Sequence, residues 1–253
     1  MQINSFENAI FKEADNKDVG IILLHAYTGS TADVNILANQ LHREGYNVLA
    51  PLLPGHGTRD VYDILNTDVK EWFYETRRAI QFMESQNYDK LLIFGLSLGG
   101  ILSTWALTQD EFSLDGGGVF NSPVLSTHRV DLDPPFTQYA TYVYERNKAS
   151  LNYELNMSDA IGKHYQQMND LDKLKLEFED DLERISKPFY IAQSGQDEMI
   201  DPDGVYGTMR ALKKARINYN YFPENTHVIT VNRNRQGFID SLMIFIEAVL
   251  RYT

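Results

Sequence analysis

Cysteine is absent from all 253 residues. That excludes disulfide frameworks, thiolate zinc sites and cysteine nucleophiles together. Basic residues are scarce beside acidic ones. There are 23 Lys and Arg against 35 Asp and Glu, for a formal net charge of −12. Such a chain repels phosphate backbones, which argues against nucleic acid as a partner and makes anionic membrane surfaces poor ones. The plainest consequence of the charge is solubility. No uninterrupted apolar run approaches the roughly 18 residues of a transmembrane helix, so no stable membrane insertion is expected. The opening stretch, MQINSFENAIFKEADNKD, has no basic segment followed by a long apolar one. It does not read as a secretory signal, and a cytoplasmic protein is expected. Internal repeats and low-complexity segments are also missing.

What is present is an ordinary globular composition, with 43% hydrophobic and 23% charged residues. The length suits one large α/β domain or two small ones, and it needs no metal or disulfide to staple it. Short apolar runs read as strands buried on both faces. They are Val19–Ala26, Tyr46–Leu53, Lys90–Ser97, Leu114–Ser122, Pro188–Ser194 and Ile217–Phe222, the last interrupted by Asn218 and Asn220. Helical patterns lie between them. Ser30 and Thr31 can cap a helix carrying Val34, Leu37 and Leu41, with Gly45 ending it. Trp72, Ile80 and Met83 mark a helix from Val69 to about Gln86. Val205, Met209 and Leu212 mark another, and Phe238, Leu242, Phe245 and Val249 the last. The alternation predicts a mostly parallel, doubly wound sheet with helices on both faces.

The rhythm breaks between Val124 and Ser186, where no strand candidate occurs. Roughly 60 residues is too long for a plain connection. Leu171, Leu174, Phe178, Leu182 and Ile185 fall at helical spacing there. The segment reads as a helical insertion, 124–186, in a single domain spanning 1–253.

Chemistry concentrates in Lys90–Gly100, KLLIFGLSLGG. An apolar run meets Gly-x-Ser-x-Gly, and a helix pattern follows. In this form Ser97 stands on a sharp strand-to-helix turn at the carboxyl end of a sheet. The alternative is a glycine-rich turn in which Ser97 merely caps a helix. A bare Gly-x-Ser-x-Gly is a weak signal, and the strand before and helix after it give it weight.

A serine nucleophile needs a base, and the base needs an orienting carboxylate. With this elbow the acid and then the histidine follow the serine in the chain. His25, His42 and His56 precede Ser97. His128 and His164 fall in the insertion, before any plausible acid loop. His227, in PENTHV after the last strand, remains, with a surface-loop histidine as the alternative. The acid belongs after Pro188–Ser194, where SGQDEMIDPD supplies Asp197, Glu198, Asp201 and Asp203. Asp197 comes first after the turn, Glu198 is the fallback, and Asp201 and Asp203 read as helix caps.

With these placed, the chain resembles the α/β-hydrolase superfamily, and within it small bacterial carboxylesterases and monoacylglycerol lipases. LLHAYTGS, PLLPGHG, FGLSLGG, QSGQDEMIDPD and ENTHVIT carry the resemblance, in the family's order and over nearly the whole chain. The resemblance implies ester hydrolysis through Ser97, Asp197 and His227, with 124–186 as a small helical cap over the acyl pocket. It implies oxyanion donors at the backbone N–H groups of Tyr27 and Leu98. The family's first loop usually has glycine where Ala26 stands here, so a positive φ at that position would strain this loop.

The expected activity is therefore hydrolysis of small neutral carboxylic esters through an acyl-enzyme, with no metal or organic cofactor. A monoacylglycerol lipase, an acyltransferase or a peptidase could use the same residues, and a binding protein of the same fold is the different-class alternative. The expected partner is a small-molecule ester. The cap aromatics Phe136, Tyr139, Tyr142, Tyr144, Tyr153 and Tyr165 are candidates for either an apolar pocket or packing. Oligomeric state is not legible in the sequence.

Overall fold

The computed structural model describes residues 3, 6–15, 18–128, 130 and 132–251. Arg129 and Asp131 of the 124–186 segment, and part of the N-terminal stretch, lie outside the described residues.

Strand β2 (Val19–Leu24) shows how apolar runs build the centre. All six residues are buried. Successive side chains on a strand point to opposite faces. Ile22 and Leu24 enter one core cluster, and Ile21 and Leu23 enter the other. A strand apolar on both sides needs helices on both sides, and it has them.

Among the described residues seven strands form one sheet, in the order β1-β3-β2-β4-β5-β6-β7. The others are β1 (Ile10–Lys12), β3 (Asn47–Ala50), β4 (Lys90–Leu96), β5 (Gly116–Phe120), β6 (Pro188–Ser194) and β7 (Arg216–Phe222). All pairs are parallel except β1 with β3. Helices α1 (Ala32–Arg43) and α8 (Gln236–Arg251) close one face through Val34, Leu37, Leu41, Phe238, Leu242 and Phe245. Helices α3 (Val69–Glu84) and α4 (Leu98–Thr108) cover the other through Trp72, Ile80, Met83, Ile101 and Leu102. This is the mostly parallel, doubly wound α/β sheet the alternation predicts. Gly45, at φ +90, ends α1 as expected, with Tyr46 N–H returning to the Leu41 carbonyl.

The short elements escape the pattern. Strand β1 is three residues, IFK, and only half-buried. Helix α2 (Val61–Leu65) is five residues, started by Asp60, whose side chain accepts from Tyr62 N–H. Neither is long enough to show a period. Edge position explains the weak signal of β7, whose Asn218 faces outward on a strand with one neighbour.

Between β5 and β6 lie α5 (Asp133–Asn147) and α6 (Met157–Phe178), followed by a 3₁₀ turn at Glu179–Arg184. The stripe Leu171 to Ile185 therefore bends: α6 stops at Phe178, and Leu182 and Ile185 are buried from the turn beyond it. An isolated antiparallel bridge joins Val130 to Ile200. Helix α7 (Val205–Ala211) follows β6. The topology delivers Ser97, Asn121, Asp197 and His227 just beyond the carboxyl ends of β4, β5, β6 and β7, four neighbouring strands. Ligand sites of open α/β sheets form at this edge.

Candidate active site

Ser97 occupies φ 54, ψ −115, between β4 and α4. A non-glycine residue held there stores strain that the surroundings must maintain. They do so through bonds to its backbone. Ser97 N–H donates to the Phe120 carbonyl at 2.9 Å, and the Ser122 hydroxyl donates to the Ser97 carbonyl at 2.8 Å. The turn is tight enough to demand its glycines. A Cβ on Gly95 would sit 2.0 Å from the Gly99 carbonyl, and one on Gly99 would sit 2.3 Å from the Leu24 oxygen. The Ser97 side chain makes no cap hydrogen bond, so it does not serve as the cap of α4. Leu98 is the first residue of α4, where backbone N–H groups have no acceptor within the helix.

The structure brings Asp197 and His227 together. His227 Nδ1 lies 2.9 Å from both Asp197 carboxylate oxygens, and the two side chains are 1% and 0% exposed. Asp197 Oδ1 also accepts from Met199 N–H at 3.0 Å and Ile200 N–H at 2.9 Å, which fixes the carboxylate. A carboxylate can only accept, so Nδ1 is the donor, and in the neutral imidazole the lone pair is then on Nε2. His227 Nε2 is buried and has no hydrogen-bond partner among the described residues. It makes no hydrogen bond to Ser97 Oγ here. Such bonds often tighten only with substrate in place.

Glu198 is also at the site, bonded differently. Its Oε2 accepts the backbone N–H of His227 at 3.0 Å. Asp201 caps the short turn before α7 by accepting from Asp203 N–H.

The other histidines find separate places. Leu53 N–H donates to His25 Nε2 at 3.0 Å, so Nδ1 holds the proton and donates to the Ala26 carbonyl at 2.9 Å. Burial pushes His25 down to about 4. His56, packed against it at 4.9 Å, is pushed down to about 3 by burial, with the His25 charge adding to the shift. His42 is half-buried on α1. His128 lines the cavity described below. His164 on α6 stacks on Phe136 at 4.3 Å, and burial pushes it to about 4.

The loop after β2 settles the question raised by Ala26. Its positive φ falls on Thr28, at 60, and not on Ala26. Ala26 is buried and unstrained. Gly29 N–H closes the turn on the Ala26 carbonyl at 3.2 Å. Ala26 N–H donates to Asp33 Oδ2 at 3.3 Å, and burial raises Asp33 to about 6.

Ser97, Tyr27 and Leu98 line a cavity of about 200 Å³. Its apolar wall is mostly aliphatic, with Ile101, Leu132, Met168, Leu171 and Met199 beside the rings of Tyr27 and Tyr165. Of the six aromatics singled out in 124–186, Tyr165 is in its lining and the other five are not. Phe136 is buried in packing, and Tyr142 is 60% exposed. Asp172 and Lys175 add a polar edge as an ion pair of 2.9 Å, and burial lowers the Lys175 ammonium below its usual range. A larger cleft of about 570 Å³ runs along α6 beside Asn66 and Lys70, but its lining holds neither serine nor histidine. Among the described residues, no group of three or more His, Asp or Glu is placed to hold a metal ion.

Sequence reading missed the residues that hold the site. Asn121, at φ 43, bridges three strand ends. Its side-chain oxygen accepts from Ser194 N–H at 2.7 Å, and its amide donates to the His227 carbonyl at 2.6 Å. An asparagine directly after a strand, in a conformation asparagine favours, was the available signal. Asp33 and Ser122 gave no signal, because their partners lie in other segments.

Comparisons with known proteins bear on the family and the fold. Residues 15–175, more than half of the chain, match the family model Hydrolase_4, described as serine aminopeptidase, S33. The chain is similar to a carboxylesterase of Bacillus subtilis (strain 168), 23% identical over 236 residues, covering 91% of this chain and 93% of the relative. It is similar to a thermostable monoacylglycerol lipase of Bacillus sp. (strain H-257), 25% identical over 246 residues, covering 92% of each. Among solved structures, a metagenome-derived lipolytic enzyme superposes with a TM-score of 0.74 at 20% identity, covering 95% of this chain and 97% of that one. Est1E of Butyrivibrio proteoclasticus, solved with ferulic acid bound, superposes with a TM-score of 0.69 at 13% identity, covering 96% and 94%. A seven-stranded sheet wound this way and a family match over residues 15–175 make this chain a member of the S33-type α/β hydrolases.

Proposed function

We propose that this protein is a serine carboxylesterase acting on small neutral esters of short to medium acyl chains. One observation carries the reading: Ser97 is held in a strained conformation with its side chain uncapped, at the wall of a cavity. The buried contact of His227 Nδ1 with the Asp197 carboxylate, with Nε2 unpartnered among the described residues, supports it.

In this reading His227 Nε2 takes the Ser97 proton as Oγ bonds to the ester carbonyl carbon. Asp197 keeps the imidazole in its tautomer and offsets the cation that forms. The N–H groups of Tyr27 and Leu98 stabilise the oxyanion. The carbon–oxygen bond to the alcohol breaks, and His227 returns the proton to the departing oxygen. Water then attacks the acyl carbon and gives a proton to His227; the bond to Oγ breaks, His227 returns that proton to Oγ, and the carboxylic acid leaves. The segment 124–186 acts as the cap over the acyl pocket.

A cavity of about 200 Å³ lies below the roughly 300–1,000 Å³ of drug-sized ligand sites, which favours short acyl groups. Activity should rise from acetyl to butyryl p-nitrophenyl esters and fall at palmitoyl. Equal rates across that series would contradict a small closed pocket. Ser97→Ala should lower p-nitrophenyl butyrate hydrolysis by at least about 10³-fold. Near-normal turnover in that variant would end the proposal. The family model's own description favours one second reading, aminopeptidase activity. Comparing aminoacyl p-nitroanilides with p-nitrophenyl esters separates the two.

A further inference from the structure

We propose that helix α6 sets the geometry of the oxyanion site through the side-chain hydroxyl of Tyr27, a positioning group that ties the loop after β2 to the helix over the cavity. This rests on the reading of the Tyr27 backbone N–H as an oxyanion donor. The observation is a chain of buried hydrogen bonds whose direction can be worked out. Gln167 Nε2 donates to the Ile64 carbonyl at 2.7 Å and to the Thr67 carbonyl at 2.8 Å. Carbonyls only accept, so the amide nitrogen faces them and Gln167 Oε1 faces the other way. There it meets the Tyr27 hydroxyl at 2.9 Å. An amide oxygen only accepts, so the Tyr27 hydroxyl donates its one proton to Gln167. The hydroxyl oxygen then accepts from His164 Nδ1, at 3.1 Å. Every donor in this chain has an acceptor, and each group is buried. Losing one member leaves its partners unsatisfied, so the arrangement is held as a unit.

The network spans the parts that must cooperate. Tyr27 belongs to the turn whose backbone is fixed by Thr28 at positive φ. His164 and Gln167 belong to α6. Gln167 also fixes α6 to α2 and the turn after it through Ile64 and Thr67. One step further along α6, Met168 and Leu171 line the cavity that Ser97 opens into. The helix that an acyl chain presses against is thus bonded to the loop that receives the carbonyl oxygen. Shifts of α6 reach the Tyr27 N–H, and filling the cavity steadies it. The chain length of the substrate then enters kcat as well as KM. A misplaced donor weakens binding of the transition state more than binding of the substrate.

Tyr27→Phe removes the hydroxyl and keeps the ring. Gln167→Met breaks the same linkage from a residue outside the cavity lining. With p-nitrophenyl butyrate, each variant should lower kcat about tenfold, short of the 10²–10³ lost with a whole oxyanion donor, and leave KM within about twofold. The double variant should be no worse than the worse single one, as expected for one shared linkage. A butyl trifluoromethyl ketone, which forms an oxyanion on the nucleophile, should lose affinity by the same factor as kcat/KM. Unchanged kcat in folded Tyr27→Phe and Gln167→Met would overturn the inference, as would losses that multiply in the double variant. If Tyr27→Phe does not fold, Gln167→Met alone decides. If the ketone inhibits the unaltered protein and both variants equally, only this inference falls. If it fails to inhibit the unaltered protein, the esterase reading falls and this inference with it.

Discussion

Acidification should destabilise this protein through its buried histidines, and the size of the effect follows from their surroundings. His25 is fully buried and neutral by construction. Its Nε2 accepts from Leu53 N–H, so a proton there would set two donors against each other. His56 Nε2 is buried without a partner among the described residues, so a proton there would find no acceptor among them. Both rings are held well below the ordinary histidine value of about 6.5, at about 4 and about 3. Between about pH 7.5 and about pH 5 the unfolded chain takes up protons that these folded rings refuse. Each then costs about 2 kcal/mol, or about 4 kcal/mol together. Asp33 works in the opposite direction. Its folded carboxyl, raised to about 6, protonates before the unfolded one and returns about 1 kcal/mol over the same range. His164 adds to the loss, and Glu75, also raised by burial, subtracts from it. His25, His56 and Asp33 alone sum to a loss of about 3 kcal/mol, which is large beside a typical total of about 5–15 kcal/mol. At this size it lowers the melting temperature by about 6–12 °C. Urea denaturation at the two pH values measures it. His56→Gln should recover about 2 kcal/mol of the pH-dependent loss. An equal or higher midpoint at the lower pH would refute the burial of neutral imidazoles.

Three substitutions test other parts of the account. Asp197→Asn should leave the fold intact and lower kcat by about 10³–10⁴-fold, because the His227 tautomer is no longer fixed; ester turnover together with circular dichroism checks both halves. Asn121→Ala should cost about 3 kcal/mol or more in urea denaturation, since it strips the buried Ser194 N–H and His227 carbonyl of their partner and puts alanine at φ 43. Gly95→Ala should cost at least about 3 kcal/mol and abolish turnover, because its Cβ would meet backbone atoms of Gly99 at 2.0 Å and nothing flexible stands there to move.

What was legible in the sequence follows from where each signal is local. Buried parallel strands write themselves as continuous apolar runs, and Gly-x-Ser-x-Gly packs strand, turn and helix into a few residues, so the sheet and Ser97 could be read directly. Chain order then singled out Asp197 and His227 as candidates, and the structure puts their side chains in contact. Strand β1 and helix α2 were not legible because three and five residues cannot display a period. The expected strain at Ala26 came from a family habit, whereas this loop turns at Thr28. Asn121, Asp33 and the Tyr27–Gln167 bond depend on partners between 7 and 140 positions away. Their roles exist only once the chain has folded.

The central claim is that Ser97 is an activated nucleophile. A fluorophosphonate probe followed by peptide mapping tests it most directly. The account predicts one label per chain, on the peptide containing Ser97, and none after Ser97→Ala or on protein unfolded beforehand in urea. Label on another residue, or a folded protein that takes up no label, would contradict it.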